Sequence, residues 1–230
     1  MNIKIIEQSV ELPLSRETVD DMLNATEIMG RLCYRSAPKG DPKAFLSRII
    51  SSGHESVVEH AYISAIYTTD RAGTHQLIRH RHASYSQESQ RYVNYNKGDT
   101  IEIIRPQFMT EPDALDKALD NHQGSAADHF LTEVLCLVNT YEDLINKGLP
   151  PEEARGILPN CTATRIGVTA NLREWRHIFR LRLDPHAQPQ IRALMLATRK
   201  AMEEKYGLDW VFQDIPSSTN RVNCNAVIRS

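Results

Sequence analysis

The sequence predicts an α+β fold: a central, mostly antiparallel β-sheet packed with helices, with a helical second half, in a single domain over 1–230. Three observations carry this reading. Strand-like runs at Ile3 to Ile6, Ala61 to Thr69 and Thr100 to Ile104 all fall in the first half, and from Ala114 onward the pattern turns helical. No Pro/Gly/Ser-rich linker, charge block, repeat or low-complexity tract divides the 230 residues, a length that buries one good core. Strands gathered ahead of helices, rather than alternating with them, indicate α+β.

Each element has its own local reason. Ile3, Ile5 and Ile6 suit a short strand, and Glu17 to Tyr34 carries Val19, Met22, Leu23, Ile28, Met29 and Leu32 at helical spacing. Pro42 opens a second helix whose apolar side is Phe45, Leu46, Ile49 and Ile50, with Gly53 as its stop. Ala61 to Thr69 is a strand, and Ala72 to Ile78 a short helix. After Thr100 to Ile104, a long helix over Ala126 to Asn146 is marked by Phe130, Val134, Leu135, Val138, Tyr141 and Leu144, and Lys147-Gly148 ends it. Glu152 to Leu158 reads as a shorter helix stopped by Pro159. Asn171-Leu172-Arg173-Glu174 has the form of a capping box opening a helix to about Leu183, and a last helix runs from about Gln188 to Tyr206.

Composition removes several function classes. Lys plus Arg number 27 against 29 Asp plus Glu, a net charge of -2, so the surface lacks the global positive charge of a nucleic-acid binder. No apolar run approaches the roughly 20 residues that span a bilayer, and the first residues lack a signal peptide's apolar core; a cytoplasmic protein without a membrane partner is expected. Cys33, Cys136, Cys161 and Cys224 are scattered with no C-x-x-C pair, which points to reduced packing thiols and no metal site.

The positive charge is local. Arg79-His80-Arg81-His82-Ala83-Ser84-Tyr85-Ser86-Gln87-Glu88-Ser89-Gln90-Arg91-Tyr92 holds three Arg, two His, three Ser, two Gln and two Tyr with no Leu, Ile, Val, Phe or Met. Such a stretch is no core-forming element. Arg supplies planar forks of N–H donors that match phosphate or a carbonyl-bearing ring, and Ser and Gln add shorter polar contacts. A solvated loop or an RNA contact is the competing reading. It is weakened by the absence of Lys and by the Ser residues between the cations. Gly53-His54-Glu55-Ser56-Val57-Val58-Glu59-His60 places two His and two Glu within seven residues, but matches no H-E-x-x-H spacing, and Ser56-x-x-Glu59 also passes as a capping box. A metal-dependent hydrolase on His54, His60, His80 and His82 is the remote alternative. Arg155, Arg165, Asn171, Arg173, Arg176, His177, Arg180, Arg182 and His186 form a third group, most of it ordinary helix surface. Arg182 sits where it either caps a helix end or points into a cleft. With no G-x-G-x-x-G, P-loop or Gly-x-Ser-x-Gly element, a phosphate must be held by side chains.

Arg79-His80-Arg81 followed by seven residues and Ser89 resembles the R-H-R-x7-S signature of the flavin-dependent thymidylate synthases. Gly53-His54-Glu55-Ser56 with Glu59-His60, Glu153-Ala154-Arg155 with Leu158-Pro159, Asn171-Leu172-Arg173, Phe179, Arg182 and His186-Ala187-Gln188 resemble further family segments in family order, over about residues 30 to 200. The resemblance implies reductive methylation of dUMP to dTMP, with FAD as cofactor, methylenetetrahydrofolate as one-carbon donor and NADPH as reductant. It implies hydride delivery by the reduced flavin, no covalent enzyme nucleophile, and a homotetramer whose FAD sites are shared between subunits. Carried over by position, it implies that Ser56, Glu59, Arg79, His80, Arg81, Gln87, Asn171, Arg173 and His177 meet FAD. Gln76, Arg79, Gln87, Ser89, Gln90, Arg91, Arg155 and Arg182 would then hold dUMP, and Arg182 would activate it by stabilising negative charge on the uracil. Three places depart from the pattern: Gln87 stands where some members have an acidic residue, His177 where others have Asn, and Pro189-Gln190-Ile191-Arg192 replaces a more acidic segment with little expected effect on the site. Ser89 and Cys161 resemble nucleophiles only superficially, since no general base stands at a readable spacing.

Overall fold

A computed structural model describes residues 1–98, 100–109, 124–220, 222 and 226–229. It is α+β. The larger sheet has five strands in the order β4 (Ala83–Gln87), β6 (Ala163–Asn171), β3 (Tyr62–Asp70), β2 (Ser9–Glu11), β7 (Val227–Arg229), and a smaller sheet pairs β1 (Asn2–Ile6) with β5 (Thr100–Ile104). The pairings of β4, β6, β3 and β2 are antiparallel; β2 with β7 and β1 with β5 run parallel. The sheet is thus mixed.

The backbone of the fold is the nine-residue pairing of β3 with β6, from Tyr62 opposite Asn171 to Asp70 opposite Ala163. Side chains alternate across a strand. Ile63, Ala65 and Tyr67 therefore share a face with Ala170, Val168 and Ile166 opposite them, and Val10 extends the row on β2. All seven are buried. The other face is polar: Ser64 and Thr169 exchange a hydroxyl hydrogen bond of 2.8 Å, beside Ser84 and Ser86 of β4.

Helices cover the apolar face. They are α1 (Arg16–Leu32), α2 (Pro42–Ser51), α3 (Arg71–Leu77), α6 (Leu172–Arg182), α7 (Pro189–Tyr206) and the short α8 (Asp209–Phe212). Local chemistry starts most of them: Ser15, Asp41, Asp70 and Asn171 each cap a helix by accepting the backbone N–H of its second or third residue. At the far end of α7, Gly207 adopts φ 68°, the left-handed stop that glycine favours. A second apolar cluster of Ile101, Ile103, Met109, Leu131, Val134 and Val138 joins β5 to α4 (Ala126–Asn146), whose N-terminus carries a reciprocal Ser125/Asp128 capping box. No helix among the described residues is long and apolar enough to cross a membrane.

Several sequence expectations are corrected here. β6 lies in the second half, between helices, and β2 and β7 are further strands that no local pattern announced. Glu152 to Leu158 is a four-residue helix, α5 (Pro151–Ala154), followed by a 3-10 turn at Arg155–Ile157. The basic stretch is not wholly peripheral: its Ala83 to Gln87 portion is β4, Ala83 and Tyr85 pack on the core, and His80 and Gln90 are buried. Cys33 and Cys136 are exposed rather than packed, and Cys161 is half-buried. Cys224 and the helical reading of 114–123 lie outside the described residues. The tail beyond Tyr206, which carried no readable signal, puts Trp210, Val211 and Phe212 into the main core.

Trp175 of α6 locks helix to sheet. It is fully buried, its indole N–H donates to the Ile63 carbonyl at 3.0 Å, and its ring lies 5.8 Å from Phe179, which meets Phe212 edge-on at 4.9 Å. Trp175→Ala is expected to cost about 3–5 kcal/mol, read from urea unfolding; a loss near zero would show that α6 is not anchored this way.

Candidate functional site

The two long strands end together and so decide what meets at each end of the sheet. At the Tyr62/Asn171 end, the six-residue 3-10 turn Glu55–His60 leads into β3, β6 runs into α6, and His82 precedes β4. The Leu172 N–H donates to the Ala61 carbonyl at 2.8 Å and closes this junction. A hollow of about 610 Å³ results, lined by Glu55, Glu59, His82, Asn171, Arg173, Glu174, His177 and Arg180. Ser56 lies exposed on the same turn, which begins without a side-chain cap, so the alternative reading of Ser56 as a capping residue does not hold.

In the hollow and in the wall behind it the cations are of two kinds. Arg173 is exposed and ion-pairs with Glu59. Arg176, by contrast, is buried and bound by Glu55 at 3.0 Å and Asp214 at 2.7 Å, and Arg180 shares both carboxylates at 2.7 and 3.3 Å. Burial alone would raise the Glu55 carboxyl, but hydrogen bonds from Arg180 and Arg176 outweigh it and hold it below its usual value. Asp214 is lowered chiefly by its hydrogen bond to Arg176. Arg176 and Arg180 are thus committed to the protein, whereas Arg173 has only one surface partner. Asp214 was invisible in the sequence because it lies in the tail, 38 residues from Arg176.

At the opposite end β4 finishes at Gln87, whose amide donates to Thr74 Oγ1 at 3.3 Å and Thr164 Oγ1 at 3.5 Å. The chain then passes Ser89, whose hydroxyl accepts the Arg91 N–H at 3.3 Å, and the buried Gln90. Arg91 reaches Glu152 with Nε and Nη2, both at 3.3 Å, and Arg155 donates from Nε to the Glu152 carbonyl at 3.1 Å. The structure therefore brings Arg155 to Arg91 from a segment 64 positions further along the chain (155 minus 91).

Between the two ends stands Arg182. It closes α6 and turns toward α3: Nε donates to His80 Nε2 at 2.9 Å, Nη2 to the Gln76 carbonyl at 3.0 Å, and Nη1 reaches Gln76 Oε1 at 3.5 Å. Its side-chain bonds go to His80 and Gln76 and not to the last carbonyls of α6, so the capping reading does not hold. The Gln76 amide in turn hydrogen-bonds Gln188. His80 is 4% exposed, with Glu174 Oε1 3.9 Å from Nδ1 and the His177 ring edge-on at 6.1 Å. Burial, then the charges of Arg182 and His177, push its imidazole down to about 4. Tyr85 donates to the Leu77 and His80 carbonyls at 2.7 and 2.8 Å, and burial pushes its phenol up to about 12. Tyr85 and Glu174 were missed as site residues; the alternation of Ser84, Tyr85 and Ser86 was the available signal for the first.

Arg79 and Arg81 are exposed beside this constellation, and no acidic side chain among the described residues pairs with either. Such a donor set suits a ligand bearing phosphates and a flat ring. It offers no metal cage: among the described residues no three His, Cys, Asp or Glu side chains are grouped to hold an ion. Burial pushes the Cys161 thiol up to about 11, a poor setting for a nucleophile. A slightly larger hollow of about 680 Å³ beside α7 and β7 holds none of the nominated residues, and its Arg199 is already paired with Glu203.

Comparison with known proteins bears on this geometry. Residues 15–206 match the family model described as "Thymidylate synthase complementing protein". A protein of Geobacter sulfurreducens named "Flavin-dependent thymidylate synthase" is 39% identical over 180 residues, covering 74% of this chain and 72% of its own length. Proteins of the same name from Mycobacterium avium (39% over 181 residues; 74% and 71% covered) and Mycobacteroides abscessus (38% over 192; 77% and 74% covered) are similar to it to the same degree.

The acidic partners of Arg176 give a pH signature. A carboxylate lowered on folding stabilises above its unfolded value, and that contribution fades as pH falls through the folded one. Glu55→Gln is expected to cost about 1–2 kcal/mol at neutral pH, and the gap to wild type should close as the medium is acidified below 4.5. Unfolding at several pH values checks this; a gap independent of pH would rule it out.

Proposed function

The chain belongs to the flavin-dependent thymidylate synthases, and from that premise we propose that it converts dUMP to dTMP with FAD, methylenetetrahydrofolate and NADPH. The observation that carries the reading is that Arg182 is bound both to His80, whose ring faces His177 and Glu174 of the hollow, and to Gln76 of α3, the helix whose Thr74 receives Gln87 at the other end. The hollow suits FAD: Glu59, Asn171, Arg173 and His177 line it, Ser56 lies on the same turn as Glu59, and Arg79 and Arg81 offer free donors for its phosphates. The corner suits the nucleotide, with Arg91 and Arg155 for phosphate and Gln87, Ser89 and Gln90 for sugar and base. The pairing of Arg91 with Glu152 is exposed on both sides and gives way readily to a phosphate.

In this reading the protein positions and polarises. A guanidinium at the uracil edge stabilises negative charge on the deprotonated ring, which raises electron density at the carbon that receives the one-carbon unit. Reduced flavin, when bound, supplies the hydride that completes the methyl group. No enzyme nucleophile is needed, and neither sequence candidate is set up as one: Ser89 has a backbone N–H as its partner, and burial pushes the Cys161 thiol up to about 11.

The enzyme is read as a cytoplasmic homotetramer with FAD sites shared between subunits. Exposed Ile28, Met29 and Leu32 on α1, with Tyr34 beyond its end, form an apolar surface that supports self-association. The decisive experiment measures dTMP formation from dUMP, methylenetetrahydrofolate and NADPH by the FAD-loaded protein. Arg182→Ala is expected to keep its flavin absorbance and lose at least about 100-fold in turnover. Wild-type turnover in that variant would remove Arg182 from the chemistry. A protein that takes up no flavin would overturn the whole reading.

A further inference from the structure

The bond between Arg182 and His80 gives the middle residue of the signature a task separate from any cofactor contact. We propose that His80 is the positioning residue of Arg182: its unprotonated Nε2 accepts the Arg182 Nε–H and so decides which edge of the guanidinium is left for the nucleotide. The proposal rests on Arg182 being the activating group.

The geometry restricts the arrangement. A guanidinium has donors only, so the nitrogen it meets at 2.9 Å must be a lone pair, and the ring proton lies on Nδ1, the side facing Glu174. With Nε committed to His80 and Nη2 to the Gln76 carbonyl, one edge of the fork is bound by protein; the Nη1–Nη2 end remains, its only other tie the long 3.5 Å approach to Gln76 Oε1. That free end presents parallel N–H donors to a planar ring with adjacent carbonyl and nitrogen acceptors. Without His80, the same side chain is free to swing about its long stem.

The surroundings hold His80 in the required state. The ring is 4% exposed, and the charged or titratable groups facing it are Arg182, His177 and Glu174 from α6 and Tyr85 from β4. Burial together with two neighbouring bases favours the neutral imidazole through the whole neutral range. Tyr85 fixes the ring's own backbone by donating to the His80 carbonyl. A protonated His80 would set N–H against N–H and expel the guanidinium.

Four FAD-loaded proteins test this: His80→Leu, His80→Gln, Arg182→Ala and the double variant His80→Leu/Arg182→Ala. Flavin content, dUMP-induced change in flavin absorbance, kcat and KM for dUMP are measured for each. At saturating FAD, His80→Leu is expected to lose about 10- to 100-fold in kcat, the loss of one charge-assisted hydrogen bond. His80→Gln restores an acceptor near the Nε2 position and should recover most of that loss. Added to Arg182→Ala, His80→Leu should change kcat by less than about threefold, since it acts through a group already gone.

Wild-type kcat in His80→Leu, a Gln variant no better than Leu, or losses that multiply in the double variant would each overturn the proposal. If Arg182→Ala is inactive and His80→Leu active, only this inference fails; if Arg182→Ala is fully active, the functional reading of Arg182 fails with it. Should His80→Leu not fold, ¹⁵N spectra of the wild-type holoenzyme decide: His80 Nε2 is expected unprotonated and hydrogen-bonded across roughly pH 6 to 8, and a proton on that nitrogen would overturn the proposal.

Discussion

The nine-residue antiparallel pairing of β3 with β6 is the constraint on which everything else rests. Because the two strands are equal in length and in register, they stop at the same two levels, and each stop is converted at once into a helix by a capping side chain: Asp70 opens α3 at one level, Asn171 opens α6 at the other. The helices then run back over the apolar face toward each other's starting points. Their far ends meet, and Arg182 at the end of α6 reaches Gln76 and His80 at the end of α3. A register slip of one residue would turn Ile63, Ala65 and Tyr67 away from the core and carry both caps with it.

The same pairing separates the two charged regions. Glu59, Asn171 and Arg173 are delivered to one end of the sheet, Gln87, Arg91 and Arg155 to the other, and β4 spans the distance with a polar face. Arg176 and Arg180 are neutralised by Glu55 and Asp214, whereas Arg173 and Arg91 each hold one exposed carboxylate and Arg79 and Arg81 are exposed with no acidic partner among the described residues. A chain with a net charge of -2 thus carries exposed guanidinium groups locally without a basic exterior, the arrangement the proposed function requires.

Much of this was legible in the sequence, and the failures have physical reasons. α1, α2, α4, α6 and α7 declare themselves because Leu, Ile, Phe and Met at three-to-four spacing contrast sharply with charged neighbours. β6 does not, since its buried positions include Ala163, Thr164 and Ala170, side chains too small to stand out beside Arg165 and Gly167. β4 went unrecognised as a strand because its outward residues are Ser84 and Ser86 and its inward row ends in Gln87. β2 and β7, three residues each, exist only through partners more than fifty positions away. Among the site residues, the signature segment and its order along the chain were readable as a resemblance. The Arg182–His80 bond was not: it spans 102 residues and depends on where two helices end.

The central claim is that the two ends of one strand pair hold two different ligands, and affinities measured on Arg173→Ala and Arg91→Ala test it most directly. FAD is titrated into the flavin-free protein and dUMP into the FAD-saturated protein. The account predicts that Arg173→Ala weakens FAD by about 10-fold or more with little effect on dUMP, and that Arg91→Ala does the reverse, each removing one charge-assisted contact. Both substitutions weakening the same ligand to the same degree would contradict it.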